Sequence, residues 1–471
     1  MLKDFLEIPR RRPVYRENRA SDFADVEVRA GEGEILGQAR RCMNCGVPFC
    51  HGYGCPLANN IPEFNAAVCG GRLEYAYKIL SLTSPFPEFT SRVCPALCEA
   101  ACCAGLPSEP MAVKQTEFFI IENAFKNGYV KPRAPRSRNG RRIAVVGSGP
   151  SGLACADRLN ELGYEVCVFE KNSLAGGLLR YGIPNFKLEK SVIDRRVMLM
   201  QEAGISFEYD VEIGRDVSLE FLKKKFAAVC LCVGAEEPRD LKIKGRELAG
   251  IHFALEFLGS QTRYLLREKD KLEISAKGKD VLIIGGGDTG SDCLGTSLRQ
   301  GAKSVMQIEI MPEPPAERSP STPWPMWEYK KRTSSSHLEG GSRMWSVESL
   351  EFLGENGNVR ALKAKKLRWN FENGVPKNFE EIENSEFEIK ADLVLLCMGF
   401  AGVKNSLRLA SPELELTPRG VLKTGSSGAT SAPKIFACGD AANGASLVVR
   451  AIASGRNLAE NIDKNFEKIL Q

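Results

Sequence analysis

The chain has 471 residues, 43% of them hydrophobic, which is enough for about three domains with sizeable cores. Its net charge of +5 is too small to indicate a nucleic-acid partner. No apolar run reaches the length of a membrane span, and the first residues include acids that a signal peptide lacks. These observations predict a cytoplasmic protein whose partners are neither nucleic acids nor membranes.

The N-terminal region is rich in cysteine, with nine of the chain's 16 cysteines before residue 104. Seven of the nine form two regularly spaced groups: Cys42, Cys45, Cys50 and Cys55, and then Cys94, Cys98 and Cys102. A reducing cytoplasm disfavours disulfides, so this crowding indicates metal ligands. Zinc would be satisfied by four thiolates in two close pairs, whereas two groups of this kind suit two iron–sulfur clusters better.

The other cysteines are predicted to be ordinary buried thiols. Cys69 and Cys103 fall outside the spacing, and the rest lie in apolar surroundings: Cys155, Cys167, Cys230, Cys232, Cys293, Cys397 and Cys438. The three histidines, His51, His252 and His337, are predicted to be structural and not catalytic.

Residues 1–131 are predicted to be mostly helical, because 61–80 and 111–125 contain helix-like stretches between the cysteine groups. A basic linker is expected at 132–142. Six of the twelve residues from Lys131 to Arg142 are basic, and the prolines among them oppose a helix. We expect a solvated hinge here, with a segment that steers an acidic partner as the alternative.

Two glycine-rich turns follow, each directly after a four-residue apolar run that is typical of a buried strand. They are Gly147-Ser-Gly149-Pro-Ser-Gly152 and Gly285-Gly-Gly287-Asp-Thr-Gly290. In a dinucleotide fingerprint the first glycine permits a tight bend, the second lets the backbone approach a pyrophosphate, and the third allows close helix packing. The chain is therefore predicted to bind two dinucleotides, and a turn without a ligand is the alternative for each.

A carboxylate ends the strand after each turn, Glu170 in the first copy and Glu309 in the second. These acids lie 23 and 24 residues after the first glycine of their motifs, close to the spacing at which an acid binds ribose hydroxyls. An acid repels a 2′-phosphate, so Glu309 favours NADH over NADPH at the second turn. The alternative is that a basic residue of the next loop, such as Arg318 or Arg332, folds back to a phosphate.

Further motifs are Ala175-Gly-Gly-Leu-Leu-Arg-Tyr-Gly-Ile-Pro184 and Cys438-Gly-Asp-Ala441. With the cysteine groups and the two turns, they resemble the glutamate synthase small (beta) subunit family over essentially the whole chain. The same architecture is similar to the N-terminal half of dihydropyrimidine dehydrogenase. A narrower resemblance to the small subunits is carried by Pro323-Trp-Pro-Met-Trp327, Thr333-Ser-Ser-Ser-His-Leu-Glu-Gly-Gly341 and Arg343-Met-Trp345. For this segment the residues themselves allow a lid, a subunit contact or a packed loop.

The resemblance implies FAD at the first turn, NADH or NADPH at the second, and two [4Fe-4S] clusters. One cluster would be held by Cys42, Cys45, Cys50 and Cys102, and the other by Cys55, Cys94, Cys98 and Glu117, a solvated helix acid being the alternative for Glu117. FAD would be bound by Gly147, Gly149, Pro150, Gly152, Glu170, Gly176, Gly177, Leu178, Gly439, Asp440, Ser446 and Val448. The nicotinamide nucleotide would be bound by Gly285, Gly287, Asp288, Thr289, Gly290 and Glu309.

The expected fold is α/β, with an N-terminal, mostly helical double iron–sulfur domain followed by two Rossmann-like domains, the second inserted in the first. The insertion is expected because the apolar strand that closes on Gly439-Asp440 resembles a flavoprotein element that completes an FAD domain. The FAD domain is predicted at 143–265 and 401–471, and the NAD(P)H domain at 266–400. The helix after Gly439-Asp440 would direct its N-terminal amides at the flavin.

The family resemblance implies an oxidoreductase subunit that passes hydride from NAD(P)H to FAD and single electrons through the clusters to a large (alpha) subunit. That subunit would make glutamate from glutamine and 2-oxoglutarate, a step of ammonia assimilation. No side chain is assigned as catalytic, because hydride transfer needs stacked cofactor rings more than an acid–base pair. The alternatives are the flavoprotein subunit of a ferredoxin-linked or electron-bifurcating NAD(P)H oxidoreductase and a non-catalytic assembly subunit.

Overall fold

The N-terminal region of the computed structural model, which describes residues 4–404 and 411–469, is a set of short helices. Their bounds are Asp4–Glu7, Glu32–Arg40, Ile61–Cys69, Leu73–Thr83, Pro87–Val93, Leu97–Ala100 and Val113–Lys126, with single turns at Arg19–Ser21, Cys50–Gly54 and Cys103–Gly105. Val14–Tyr15 and Glu27–Val28 pair as an antiparallel ribbon. Phe64, Leu80 and Ile120 are fully buried in the core of this region. The predicted mostly helical character is confirmed.

Residues 132–142 contain no helix and are mostly exposed, as expected of a solvated segment, but ion pairs and hydrogen bonds hold the segment to the fold that follows. Arg133 forms an ion pair with the buried carboxylate of Asp157 at 3.1 Å. Arg138 donates to the side-chain oxygen of Asn160 at 2.8 Å and to the backbone carbonyl of Tyr164 at 2.5 Å. Asn160 lies in the last turn of the next helix, Pro150–Glu161, and Tyr164 lies three residues beyond its end. The basic residues therefore fasten the segment to the fold that follows.

The first sheet has five parallel strands, whose spatial order is Ile435–Ala437, Ala228–Leu231, Arg142–Val146, Glu165–Phe169 and Ser206–Glu208. Its accompanying helices are Pro150–Glu161, Leu178–Tyr181, Lys190–Glu202, Leu219–Lys225, Asp440–Asn443 and Val448–Ile469. Ile143 and Val145 pack into one hydrophobic cluster, whereas Ala144 and Val146 pack into another. Both faces of the sheet are covered, which explains why its central strands are continuously apolar.

The second sheet also has five parallel strands, in the order Ser342–Trp345, Ser304–Glu309, Asp280–Ile284, Leu393–Leu396 and Ile251–Phe253. Helices Ala254–Leu265 and Asp288–Arg299 pack with it. An antiparallel sheet extends this half of the molecule, with strands Val347–Glu355, Asn358–Glu372, Val375–Glu381 and Phe387–Lys390. The second sheet is therefore a doubly wound fold with an antiparallel addition.

The second sheet lies between two strands of the first in chain order, so the predicted α/β class with an inserted fold is confirmed. The two crossing segments pair with each other at Glu237–Pro238 and Phe400–Gly402. Strand Ile251–Phe253 belongs to the second sheet, so that sheet begins before the boundary predicted at 266. Its three residues are too few to show a strand pattern in the sequence. Across the part of the chain that the structure describes, no helix has both the length and the apolarity of a membrane span.

Candidate functional site

The first glycine turn has the geometry of a dinucleotide fingerprint. Gly147 has a φ of +98°, and a Cβ there would lie 2.6 Å from the carbonyl oxygen of Cys232. A Cβ at Gly149 would meet nothing within 4 Å, so this backbone faces open space. A Cβ at Gly152 would collide with the carbonyl oxygen of Gly147. The tight bend, the open approach and the close packing therefore fall on the three glycines in the expected order.

Glu170 holds the first turn together. One of its carboxylate oxygens accepts from the backbone N–H and the hydroxyl of Ser148, at 3.1 and 2.5 Å. The other oxygen accepts from the backbone and side-chain amides of Asn172, at 2.9 and 2.6 Å. The Ser148 hydroxyl accepts in turn from the backbone N–H of Gly176 at 3.0 Å. This buried carboxylate thus links the turn to the glycine pair that begins at Gly176.

A cleft opens beside the first turn. It is lined by residues that the sequence assigned to FAD: Gly147, Gly149, Pro150, Glu170, Gly177, Leu178, Asp440, Ser446 and Val448. Gly152, Gly176 and Gly439 belong to its supporting walls, and a Cβ at Gly439 would collide with the hydroxyl of Ser151. Segments far apart in the chain, 146–236 and 440–451, therefore line one cleft.

The C-terminal part of the chain forms one wall of this cleft. The Ser446 hydroxyl donates to the carboxylate of Asp440 at 2.7 Å, and burial raises the pKa of Asp440. Helix Val448–Ile469 begins two residues after Ser446, and Val448 and Ala451 of its first turn line the cleft. The positive end of this 22-residue helix therefore lies where it stabilises negative charge in the cleft.

The sequence analysis missed four charged residues that line the cleft: Lys171, Glu212, Glu236 and Lys404. Lys171 and Lys404 both pair with the carboxylate of Glu236, the second at 3.5 Å. These residues belong to no motif and are brought together only by the fold. They place a local cluster of charge at the edge of the cleft.

The second glycine turn repeats the geometry of the first. Gly285 has a φ of +125°, and a Cβ there would collide with a backbone carbonyl of the neighbouring strand end. A Cβ at Gly287 would meet nothing within 4 Å, whereas one at Gly290 would collide with the carbonyl oxygen of Gly285. Asp288 and Thr289 begin the helix Asp288–Arg299. The second turn therefore also presents open backbone at a helix N-terminus.

Glu309 lies beside the second turn. One carboxylate oxygen accepts from the backbone N–H of Gly286 at 2.5 Å, and the other accepts from the backbone N–H of Met311 at 3.0 Å. Two backbone amides thus hold this acid at the end of its strand and next to the turn. The acid predicted to choose between nucleotides is part of the turn's own structure.

The Trp- and Pro-rich segment packs against the cysteine region. The rings of Trp324 and Phe49 have centroids 4.7 Å apart. Arg318 donates to the backbone carbonyl of Ala100 at 3.2 Å. Phe49 directly precedes one predicted cluster ligand, and Ala100 lies between two others. Of the roles that the residues allowed, the structure favours a packed contact within the chain.

One set of predicted ligands lines a common cavity: Cys42, Cys45, Cys50 and Cys102. Burial raises the pKa of Cys42 to about 11 and raises that of Cys45. Cys103 lines the same cavity and is half-buried, so its assignment as an ordinary buried thiol is wrong. Its position directly after Cys102 carries it into the cavity wall.

The other set lines a second cavity: Cys55, Cys94, Cys98 and Glu117. Glu117 is only 6% exposed, and its carboxylate accepts from the side-chain amide of Asn59 at 2.9 Å. Burial raises the pKa of Glu117 to about 7. A buried carboxyl beside three thiols is inconsistent with the alternative of a solvated helix acid.

The cleft and the two cysteine cavities follow one another through the molecule. Val448 lines the cleft, and the next residue, Val449, lines the second cavity. Cys98 of the second cavity lies four residues before Cys102 of the first. Among residues 4–404 and 411–469, no three His, Cys, Asp or Glu side chains are arranged to hold a single metal ion.

The remaining cysteines and histidines lie mostly as expected. The seven cysteines of the two sheet regions are buried: Cys155, Cys167, Cys230, Cys232, Cys293, Cys397 and Cys438. Cys69 is exposed, so its assignment as a buried thiol is wrong, because it ends a helix on the outer face. His51 is 3.1 Å from the carbonyl oxygen of Asn59, and His252 is 3.9 Å from the carboxylate of Glu256. These are structural contacts.

Two family models match the chain in the same order as the folds. "Dihydropyrimidine dehydrogenase domain II, 4Fe-4S cluster" matches residues 19–129. "Pyridine nucleotide-disulphide oxidoreductase" matches residues 141–322 and 359–455. Among solved structures, Mycobacterium tuberculosis FprA in complex with NADPH has a TM-score of 0.55 and 18% identity, over 70% of this chain and 86% of that chain. At that identity the likeness to FprA shows the fold alone.

Curated relatives span nearly the whole chain. The glutamate synthase [NADPH] small chain of Mycobacterium tuberculosis is 47% identical, over 97% of this chain and 93% of its own length. The small chain of Bacillus subtilis is 39% identical, over 98% and 97%. Glutamate synthase [NADH] of Schizosaccharomyces pombe is 44% identical over 99% of this chain, which corresponds to 23% of that longer protein. The chain therefore belongs to the glutamate synthase small-chain family, as its motifs predicted.

Proposed function

We propose that this chain is the electron-input subunit of a glutamate synthase, which oxidises NAD(P)H and supplies electrons to a large subunit that makes glutamate from glutamine and 2-oxoglutarate. The observation that carries the proposal is that adjacent residues line the two spaces: Val448 lines the cleft, and Val449 lines the second cavity. A two-electron carrier in the cleft and one-electron carriers in the cavities would then lie in series. The names of the relatives support the same role.

FAD is the group proposed for the cleft, and the residues present fit it. When bound, FAD would accept hydride from NAD(P)H and release electrons singly to iron–sulfur clusters. The open backbone at Gly149 would hold the pyrophosphate, and Asp440 would bind the ribityl chain. Both oxygens of Glu170 already accept two hydrogen bonds, so its main contribution would be to hold the turn.

Two [4Fe-4S] clusters are proposed for the cysteine cavities, because each cavity has four donors of the right kind around it. Cys42, Cys45, Cys50 and Cys102 would hold one cluster, and Cys55, Cys94, Cys98 and Glu117 the other. The raised pKa values of these groups mean that protons must leave when metal binds. Uptake of iron should therefore release protons.

NADH is proposed as the preferred nucleotide at the second turn. Glu309 supports this preference, because the amides of Gly286 and Met311 hold its carboxylate beside the turn, where it would accept from a free 2′-hydroxyl. The nucleotide would be held by the open backbone at Gly287 and by the amides of Asp288 and Thr289 at the helix N-terminus. The relatives include proteins named for either nucleotide.

Three domains are proposed on this basis: a cluster-binding domain at 1–131, an FAD domain at 143–265 and 401–471, and an NAD(P)H domain at 266–400. The strand Ile251–Phe253 and the helix Ala254–Leu265 are better assigned to the NAD(P)H domain, because the strand pairs within the second sheet. Residues 132–142 would join the first domain to the second.

The test compares the isolated chain with its complex. The isolated holoprotein should oxidise NADH with an artificial acceptor such as ferricyanide and form no glutamate. Adding the large subunit should produce glutamate from glutamine and 2-oxoglutarate at the expense of NADH. Glutamate formation by the isolated chain, or capture of a ferredoxin instead of a large subunit from its own cells, would overturn the proposal.

A further inference from the structure

The segment Thr333–Gly341, for which the sequence offered no mechanism, is fastened to the second glycine turn. Its His337 places Nε2 2.8 Å from the side-chain oxygen of Gln307. The side-chain amide of Gln307 donates to the backbone carbonyl of Gly285, the first glycine of the turn, at 2.7 Å. Gln307 is 2% exposed, so its two contacts are made away from solvent. The turn and the segment are therefore joined through one buried side chain.

The directions of these hydrogen bonds determine the state of His337. Because the Gln307 amide nitrogen donates to Gly285, its oxygen faces His337, and Nε2 must carry a hydrogen. Nδ1 is then an acceptor, and it lies 3.2 Å from the backbone nitrogen and 3.1 Å from the hydroxyl of Ser334. The Ser334 hydroxyl is also within hydrogen-bond distance of the hydroxyl of Ser291, 2.6 Å away. Hydrogen bonds therefore connect Ser334 to Gly285 through a neutral imidazole and Gln307.

The charges around His337 agree with a neutral ring. Burial and the nearby cations Arg343 and Lys187 lower the pKa of His337 to about 4, against the opposing effect of Asp288. Lys187 is itself paired with Asp292, and Arg343 donates to the hydroxyl of Thr333 at 3.1 Å. At neutral pH the ring therefore serves as one donor and one acceptor.

The same segment is also held at the other end of the helix that follows the turn. Glu339 accepts from Arg299, the last residue of that helix, at 2.5 and 3.0 Å, and from Arg19 of the N-terminal region at 3.0 Å. The side chains of Arg299 and Glu339 are 0% and 2% exposed. The segment cannot shift along the helix without breaking these contacts, so His337 has a fixed support.

We propose that His337 is a positioning residue for the second nucleotide site, acting through Gln307 to hold the Gly285 carbonyl and thereby the open backbone at Gly287. The inference rests on the proposed binding of a nicotinamide nucleotide at this turn. His337 does not line the turn and contacts no reacting atom. Its removal should therefore weaken nucleotide binding and leave the chemical step unchanged.

Two substitutions separate the donor function from the acceptor function of the ring. His337→Asn places an amide near Nδ1 and loses the donor to Gln307, whereas His337→Gln places an amide nitrogen near Nε2 and keeps it. In NADH oxidation by the holoprotein, His337→Asn should raise KM by about threefold to tenfold, the effect of one lost neutral hydrogen bond, with kcat unchanged. His337→Gln should stay within about twofold of the wild type. Flavin and iron contents should be equal in all three proteins.

A second residue tests whether the effect passes through Gln307. Gln307→Met keeps the length of the side chain but removes its hydrogen bonds to His337 and Gly285. It should therefore raise KM as His337→Asn does, and the double variant should show no further increase in KM. Should His337→Asn not fold, Gln307→Met tests the same link. A wild-type KM in His337→Asn, equal effects of Asn and Gln, or additive effects with Gln307→Met would overturn the inference. A wild-type protein that oxidises neither nucleotide would instead overturn the proposed function.

Discussion

Replacing Gly287 with alanine isolates the role of the open backbone at the second turn. Gly287 has an extended backbone, with a φ of −80° and a ψ of −175°, and a Cβ there meets nothing within 4 Å. Alanine adopts this conformation without strain, so the fold should be unaffected. The added methyl group projects into the space that a pyrophosphate would occupy. At least one hydrogen bond between the backbone and a charged phosphate should therefore be weakened.

The size of the effect follows from that hydrogen bond. A hydrogen bond to a charged group contributes about 1.5–3 kcal/mol, which corresponds to a KM for NADH raised about 10- to 150-fold. The measurement is steady-state oxidation of NADH with ferricyanide, together with flavin content and thermal unfolding, which should not change. Gly290→Ala is the matched control, because its Cβ would collide with the Gly285 carbonyl and should destabilise the whole second fold. A KM within twofold of the wild type for Gly287→Ala would refute the reasoning.

Four further results are expected. Anaerobically purified and fully loaded protein should contain about eight iron atoms per chain, and the Glu117→Ala variant should contain fewer. Four or fewer iron atoms in the wild type would contradict the presence of two clusters. Glu309→Ala should lower kcat/KM for NADH more than for NADPH, and a strong wild-type preference for NADPH would argue against Glu309 as the selector. Glu339→Gln leaves the buried guanidinium of Arg299 and the half-buried one of Arg19 without their carboxylate, and it should lower the free energy of unfolding by about 3–5 kcal/mol. Glu415→Gln, at an exposed ion pair, should leave thermal unfolding nearly unchanged, and equal losses in the two variants would contradict this reasoning. The folded state lowers the pKa of His337 to about 4, so the unfolded chain binds more protons between about pH 6.5 and 4. Stability should therefore decrease as the pH is lowered through this range, and it should decrease more in the wild type than in His337→Asn. Parallel unfolding curves would be the contrary result.

Local patterns in the sequence were sufficient to predict the two glycine turns. The bend at Gly147, the open backbone at Gly149 and the packing at Gly152 each depend on residues a few positions apart. The same is true of the strands that precede the turns and the helices that follow. The grouping of cysteines around two cavities came instead from the family resemblance, because ligands such as Cys50 and Cys102 are far apart in the chain.

Long-range packing explains what the sequence did not reveal. His337 and Gln307 are 30 residues apart, and a histidine in a Ser-rich loop carries no sign of its partner. Strand Ile251–Phe253 is identified only by its pairing with Leu393–Leu396. The hydrogen bonds of Arg138 were not predicted, because its acceptors on Asn160 and Tyr164 lie 22 and 26 residues away in the chain. In each case the missing information is a tertiary contact.

Adjacent residues line the cleft and a cysteine cavity, and this bears on how the protein acquires its cofactors. Val448 and Val449 lie in the first turn of one helix and line the cleft and a cysteine cavity, respectively. A change in what one space contains should therefore alter the position of residues that line the other. Insertion of iron and acquisition of flavin should therefore depend on each other. Cells short of iron would then accumulate a chain that also retains its flavin poorly, and the loss of colour would report on both.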